Sequence, residues 1–434
     1  MKKALSLILA LGMSVLLLTG CAGAPSSSVA APDSEEPVAT EPVTLEFIQW
    51  WSSEAGSEEL DRLVAEFESQ NPNIDIELVT LPFGDVRTQI IASQASKTTP
   101  DILAMNPPWT REFYDLQILA PLDELMAADP DFNKEDYFQA SFTQIEGGTY
   151  LMPVNTQAFY LFYNKTMFEQ AGLTPPTSWE EIVSCARQLT DPDKNQYGFT
   201  VTMAEQEASN GSILFFYPLL YAQNGRTLVD GQYTVQTEEM YNALDLLRQL
   251  NEDGSLLPGT TTKSEVQMVE EFSVGNVGMM ISNDSHIKTV TDRNPELDFG
   301  IVPIPTMDGT GTPELRHHGW DIAISESCEH KQEAWEFISF LCEKENMQSY
   351  CNAALKLPAA YGVTVDYLDE YPVVQDVMDI VNTYDMVEEL MVMPKASACW
   401  VDLTKAGSAV VQGAQTVDDA LAQTQELWNE KLGQ

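Results

Sequence analysis

Between residues 43 and 105 the hydrophobic spacing keeps switching between a period of two and a helical period, and this alternation restricts the fold more than any other feature of the chain. Residues 43–51 read as a strand. Ser57 then opens a helix in which Leu60, Leu63, Val64 and Phe67 recur at helical intervals, until Asn71 and Pro72 end it. A strand at 74–81, a helix at 85–97 and a third strand at 101–105 follow. Strands separated by helices do not pair as hairpins, so the order predicts a parallel sheet with helices on both faces. A second α/β unit begins with a strand at 158–163 and a Ser178-Trp179-Glu180-Glu181 capping box, whose helix carries Ile182, Ala186 and Leu189 on one side. Thr237 caps a further helix bearing Met240, Ala243, Leu244 and Leu247, and 277–281 reads as a short buried strand. Helices at 332–342, 373–382 and 417–431 complete the pattern.

Ahead of the folded pattern, Lys2 and Lys3 precede an uncharged apolar run from Ala4 to Leu18, closed by Leu18-Thr19-Gly20-Cys21. The run is shorter than the roughly 20 apolar residues of a spanning helix, and the small residues before Cys21 favour a cleaved export segment over a spanning anchor. The arrangement resembles a bacterial lipoprotein signal with its lipobox. That implies a signal peptide at 1–20 and lipidation of Cys21 with acyl chains, palmitate among them, which would hold the protein on the cell membrane, outside the cytoplasm. Residues 21–42, rich in Ala, Ser, Pro and Glu, then read as a disordered tether.

The chain carries 66 acidic and 22 basic residues, a formal net charge of −44, which repels phosphate backbones and excludes nucleic acid as a partner. The carboxylates are spread in short groups such as Glu58-Glu59 and Asp418-Asp419, the pattern of solvated helix faces. There is no G-x-S-x-G elbow, phosphate-cradling G-x-x-x-x-G-K or H-E-x-x-H helix, and nothing singles out a catalytic carboxylate pair. The chain is therefore read as no enzyme, with a secreted glycoside hydrolase as the enzymatic alternative. His317-His318 is an adjacent pair, and His286 and His330 stand alone, as satisfied or exposed histidines do. Asp191-Pro192-Asp193-Lys194-Asn195 starts like a calcium loop but has Gln196 for the glycine and Thr202 for the final glutamate, so neither metal nor cofactor is expected. Cys185, Cys328, Cys342, Cys351 and Cys399 form no C-x-x-C pair; their odd number leaves at least one thiol unpaired, and a disulfide among Cys328, Cys342 and Cys351 stays open.

Several segments taken together carry a family resemblance: Pro100-Asp101-Ile102-Leu103 leading to Trp109; Phe162-Tyr163-Asn164-Lys165 with Phe168 and Ala171-Gly172-Leu173; Pro175-Pro176-Thr177-Ser178-Trp179; Phe272 to Met279; and Gly413 with Thr416 to Leu421. In this order, behind a lipobox, the chain resembles an extracellular solute-binding protein of an ABC importer, of the class that includes maltose-binding protein. The resemblance implies an α/β, two-lobed periplasmic-binding-protein-like fold (type II) with discontinuous lobes and a ligand cleft between them. The first lobe would comprise 43–156 plus 320–362, the second 157–319 plus 363–434. It also implies a monomeric receptor with a carbohydrate ligand and the permease subunits of an ABC transporter as partners. Polyamine, peptide or another small polar solute is the alternative cargo, and anionic solutes such as phosphorylated polyols are less favoured.

A sugar presents flat C–H faces rimmed by hydroxyls, so its cleft needs aromatic plates and planar polar groups. Aromatic candidates at strand ends and loops are Trp50, Trp51, Trp109 and Trp320, and the resemblance adds Tyr163 and Trp400. Each has core packing as its alternative, and Trp50 and Trp51 should face apart if the strand continues through both. Polar candidates are Glu54, Asn106, Gln157, Asn224, Asn283, Asp284 and Asp321, each with an ordinary turn or cap role as its alternative. Asp321, beside Trp320, is the foremost of these. Trp179, Trp335 and Trp428 sit on amphipathic helices and read as packing residues.

Overall fold

A computed structural model describes residues 42–53, 57–204 and 209–434. In the first lobe, Val43–Gln49 pairs in parallel with Ile74–Thr80 on one side and Ile102–Met105 on the other, as the alternation predicts. Asp321–Ile324 joins antiparallel to Ile102–Met105, and Met152–Pro153 closes the far edge of this five-stranded sheet. The predicted stripe of helix Ser57–Gln70 is buried against the sheet, and Phe67 meets Phe337 of helix Lys331–Cys342 edge to face, centroids 5.1 Å apart. Asn71 ends the first helix by returning its side-chain amide to the Phe67 carbonyl.

The second lobe is organised by a single ten-residue strand, Asn155–Asn164, buried along nearly its whole length. Val277–Asn283, Phe299–Val302, Leu315–His318 and Leu357–Pro358 all pair antiparallel to it. Tyr197–Thr200 extends the sheet beyond Val277–Asn283, and Met386–Val387 beyond Leu315–His318. Alternate residues of this strand serve opposite faces. Leu161 enters the core with helices Trp179–Leu189, Glu238–Glu252 and Ala396–Val411, whereas Tyr160 and Phe162 enter a second core with Glu265–Ser273 and Val373–Thr383. The strand begins three residues before the expected 158–163 because the crossing itself is paired: Asn155 and Thr156 bond Leu357–Pro358, and Gln157 lies opposite His318.

Helix ends follow the caps read from sequence. Ser178 accepts from the Glu181 N–H and Thr237 from the Met240 N–H, although the Glu181 carboxylate turns back on Thr177. A complete capping box occurs instead at Ser264 and Gln267. Trp179, Trp335 and Trp428 are core residues, their indole N–H groups donating to the Pro305 carbonyl, the Asp129 carboxylate and the Cys399 carbonyl. The five thiols are unbridged and buried, so the open disulfide among Cys328, Cys342 and Cys351 does not form. Cys21 lies outside the described residues, and among those described no helix is long and apolar enough to cross a membrane.

Where the chain passes between lobes, backbones approach closely. A Cβ on Gly319 would stand 2.3 Å from the Asn155 carbonyl oxygen, so only glycine fits. The Val154 N–H donates to the Trp320 carbonyl at 3.0 Å and the Trp320 N–H to the Asn155 side-chain carbonyl at 3.2 Å. Ser141 of the first lobe meets the His317 imidazole of the second at 2.9 Å.

Candidate functional site

Parallel strands in the first sheet end together at the edge turned toward the second lobe, and the residues that follow those ends gather there. Trp50 succeeds Val43–Gln49, Phe83 opens the helix after Ile74–Thr80, and Trp109 lies in the turn after Ile102–Met105. Trp320 joins them because Asp321 pairs with Met105, which sets the preceding tryptophan beside the end of that strand. The Trp50 ring lies 5.1 Å from Phe83, 5.6 Å from Trp109 and 5.4 Å from Trp320, all edge to face. Phe83 and Trp109 stack at 5.5 Å with an interplanar angle of 23°. Trp50 is 1% exposed and forms the base; Phe83 is 43% exposed, and Trp109 and Trp320 are half-buried, so these three present ring surface outward. On the second lobe, Leu390–Val392 touches the turn Pro107–Trp109.

The strand ends at Gln49, before both Trp50 and Trp51, and a 3-10 turn over Trp51–Ser53 separates the neighbouring candidates. Trp51 turns away into the core, 1% exposed, with Phe47 at 5.4 Å and Tyr350 at 5.6 Å, and its Nε1 has no hydrogen-bond partner. Asp321 likewise points opposite to Trp320. It is 1% exposed, its Oδ1 has no partner, and burial drives its carboxyl far above the usual carboxylate range, so it is neutral inside the first lobe and does not face the wall. Asn106 stands beside the wall and begins the Pro107–Trp109 turn, its Oδ1 buried without a partner.

The start of the crossing strand runs beside Trp320, and the end of Val277–Asn283 pairs with that strand at Phe159. Asn283 folds onto its own turn, accepting from the Ser285 N–H at 3.0 Å and from the Ser285 hydroxyl. Asp284 accepts from the Ala158 N–H at 3.0 Å; burial raises its carboxyl to about 7, against the opposing pull of that N–H and of Lys356. Gln157 is buried opposite His318 in the sheet. The Lys356 ammonium stands 5.6 Å over the Trp320 ring, and its charge also acts on Asp284, His286 and His318, so it spans wall and rim. His286 bonds Ser282 and approaches Glu265, as a satisfied histidine does.

Three sequence candidates lie elsewhere. Tyr163 is at the far end of its strand, eight residues past Asn155, or about 26 Å at a strand's rise; its ring packs 5.3 Å from Phe168. Asn224 holds a left-handed turn (φ 57°) after helix Tyr217–Ala222 and donates to the Thr312 carbonyl. Trp400 is 2% exposed inside the helical core of the second lobe. Glu54 lies outside the described residues. Sequence reasoning missed Phe83 and Lys356, which stand at the aromatic wall. Of these only Phe83 left a local signal, as an apolar residue in the loop just past a strand end.

The model of the bacterial extracellular solute-binding proteins matches residues 50–348. The chain belongs to this family. The melibiose/raffinose/stachyose-binding protein MelE of Bacillus subtilis is 21% identical over 85% of each chain. The sugar-binding protein MalE of Xanthomonas citri superposes with a TM-score of 0.77 at 21% identity, over 90% of this chain and 98% of that one. The cyclic α-maltosyl-1,6-maltose binding protein of Arthrobacter globiformis gives 0.78 at 20% identity, over 90% and 99%. These neighbours are binding proteins and share the two-lobed α/β fold.

Proposed function

We propose that this protein is an extracytoplasmic receptor that captures a carbohydrate, an oligosaccharide of several rings, in the cleft between its lobes and passes it to the permease of an ABC transporter. It performs no chemistry on the solute. The observation that carries this reading is the wall of Trp50, Phe83, Trp109 and Trp320, a broad apolar plate suited to the C–H faces of sugar rings. Relatives and neighbours that bind melibiose, raffinose, stachyose and cyclic maltosyl-maltose support the solute class. The lobes are divided as 43–156 plus 320–362 and 157–319 plus 363–434, a division that strand membership supports except at Asn155, Thr156, Leu357 and Pro358, which pair within the second sheet. Cys21 carries the lipid that holds the receptor at the membrane. Ligand that touches both lobes favours the closed arrangement, which the permease recognises.

The test is a panel of melibiose, raffinose, stachyose, maltotetraose, spermidine, short peptides and glycerol phosphate, read by thermal shift and by product release. Saturable stabilisation by sugars without turnover is expected. Sustained product release would make the protein a hydrolase, and stabilisation by spermidine or peptide alone would change the cargo class.

A further inference from the structure

Lys356 is fixed by its backbone on both sides. Leu355, in a left-handed turn (φ 52°), ends helix Lys344–Ala354, and the Lys356 N–H donates to the Cys351 carbonyl at 2.9 Å. The Lys356 carbonyl accepts from the Tyr367 hydroxyl at 2.8 Å, and Leu357–Pro358 is tied to the crossing strand at Thr156 and Asn155. Leu357 is buried, so alternation sends the Lys356 side chain the other way, and its ammonium stands 5.6 Å from the centre of the Trp320 ring. A rigid backbone thus delivers a flexible cation to the aromatic wall.

Anionic solutes were disfavoured in the sequence because Arg316 and Lys288 were the basic residues near the cleft segments, and each has its own carboxylate: Arg316 is buried 3.7 Å from Glu388, and Lys288 pairs with Asp292 on its own helix. Lys356 changes that balance. The titratable groups on which its charge acts are Asp284, His286, His318 and Cys351. Burial holds the Asp284 carboxyl up at about 7, lowers His286 to about 4 and His318 well below its ordinary value, and raises the Cys351 thiol. Near pH 7 the imidazoles and the thiol are therefore neutral, and Asp284 is only partly ionised. The ammonium stands among these groups and against a ring face that attracts it. The rest of the molecule, at −44, repels anions, so an acidic solute needs a cation at the point of contact.

We propose that Lys356 makes the aromatic wall selective for acidic sugars: a uronate ring lays its C–H face on the wall and sets its carboxylate on the Lys356 ammonium. This rests on the carbohydrate reading and deepens it by naming the solute class. The carboxylate of a uronate projects from the edge of the pyranose, so a ring stacked on Phe83 can turn it toward Trp320, whose centroid is 5.9 Å from that of Phe83. One ammonium matches one carboxylate. A phosphate carries nearly two negative charges at neutral pH, which the acidic body opposes more strongly and which a paired Arg fork suits better than a single lysine.

The experiment is calorimetric titration of digalacturonate, dimannuronate, the methyl esters of both, raffinose and glycerol 3-phosphate into the wild-type protein and its K356M and K356R variants, with a melting curve for each. The esters keep the rings and remove the charge, so the wild-type ratio of acid to ester tests the inference without any substitution; at least one acid is expected to bind about tenfold or more tighter than its ester. Lys356→Met keeps the apolar stem beside Trp320 and should weaken the acid about ten- to a hundredfold while the ester changes less than about threefold, with the melting temperature little moved. Lys356→Arg should retain the preference for the acid. Equal binding of acid and ester by the wild type, or raffinose bound and neither uronate, overturns this inference and leaves the carbohydrate reading standing. Acid and ester weakened alike in K356M, with a lower melting temperature, give Lys356 a structural role and overturn its selectivity. Glycerol 3-phosphate bound tightest and lost in K356M overturns the carboxylate in favour of phosphate. A wild-type protein that binds no sugar, acidic or neutral, overturns the carbohydrate reading and this inference with it.

Discussion

Trp320 and Trp51 are the same residue type in opposite surroundings, and truncating each should give opposite results. Trp320→Ala removes an outward ring and should weaken sugar binding by about 1–3 kcal/mol with little change in melting temperature. Trp51→Ala empties a core site and should cost about 3–5 kcal/mol of stability, measured by denaturant unfolding, while the folded fraction still binds. Asp284 yields a pH prediction. Its carboxyl sits near 7 when folded against an ordinary 3.8, so the folded state holds the proton more tightly. Its contribution is fully present below about pH 4 and is lost as pH rises through 7. Asp284→Asn keeps an acceptor for the Ala158 N–H and no longer titrates. The stability of D284N relative to wild type should therefore rise between pH 4 and pH 8, by about 2–4 kcal/mol in urea unfolding, and a flat difference would contradict the burial argument. Residue types and strand parity could not separate Trp50 from Trp51, because the strand stops at Gln49 and both lie beyond it. They could not set Asp321 inside, because adjacent strand residues face apart and nothing in the sequence said which one met the cleft.

At the level of elements, local signals were reliable where the physics is local. Caps at Ser178 and Thr237, the stop at Asn71 and the stripe of helix Ser57–Gln70 all involve atoms within a few residues of one another. The strand Asn155–Asn164 was read short because its first residues owe their extended form to Leu357–Pro358 and His318, far away in the chain. Close contact between elements was equally hidden. A Cβ on Gly198 would lie 2.0 Å from the Ala186 carbonyl oxygen, where helix Trp179–Leu189 crosses strand Tyr197–Thr200. Backbone atoms cannot rotate aside, so Gly198→Ala should cost about 2–3 kcal/mol, seen as a lower urea midpoint with unchanged slope.

For the whole molecule, the consequence of two lobes joined by paired crossings is that a solute touching both acts on their relative arrangement. Raffinose at a hundred times its dissociation constant should stabilise the protein by about 2.7 kcal/mol and reduce the radius of gyration in small-angle scattering; stabilisation at constant radius would exclude lobe closure. The α/β order, the helix caps, the family and the supply of tryptophans were all readable from the chain, because hydrophobic period, capping chemistry and motif order are written in consecutive residues. Folding in three dimensions selected which aromatics form the wall, sent Tyr163 some 26 Å along its strand, buried Trp400 and set Lys356 over Trp320. Those outcomes depend on strand register and on contacts between residues from tens to hundreds of positions apart, for which no short stretch of sequence carries a signal.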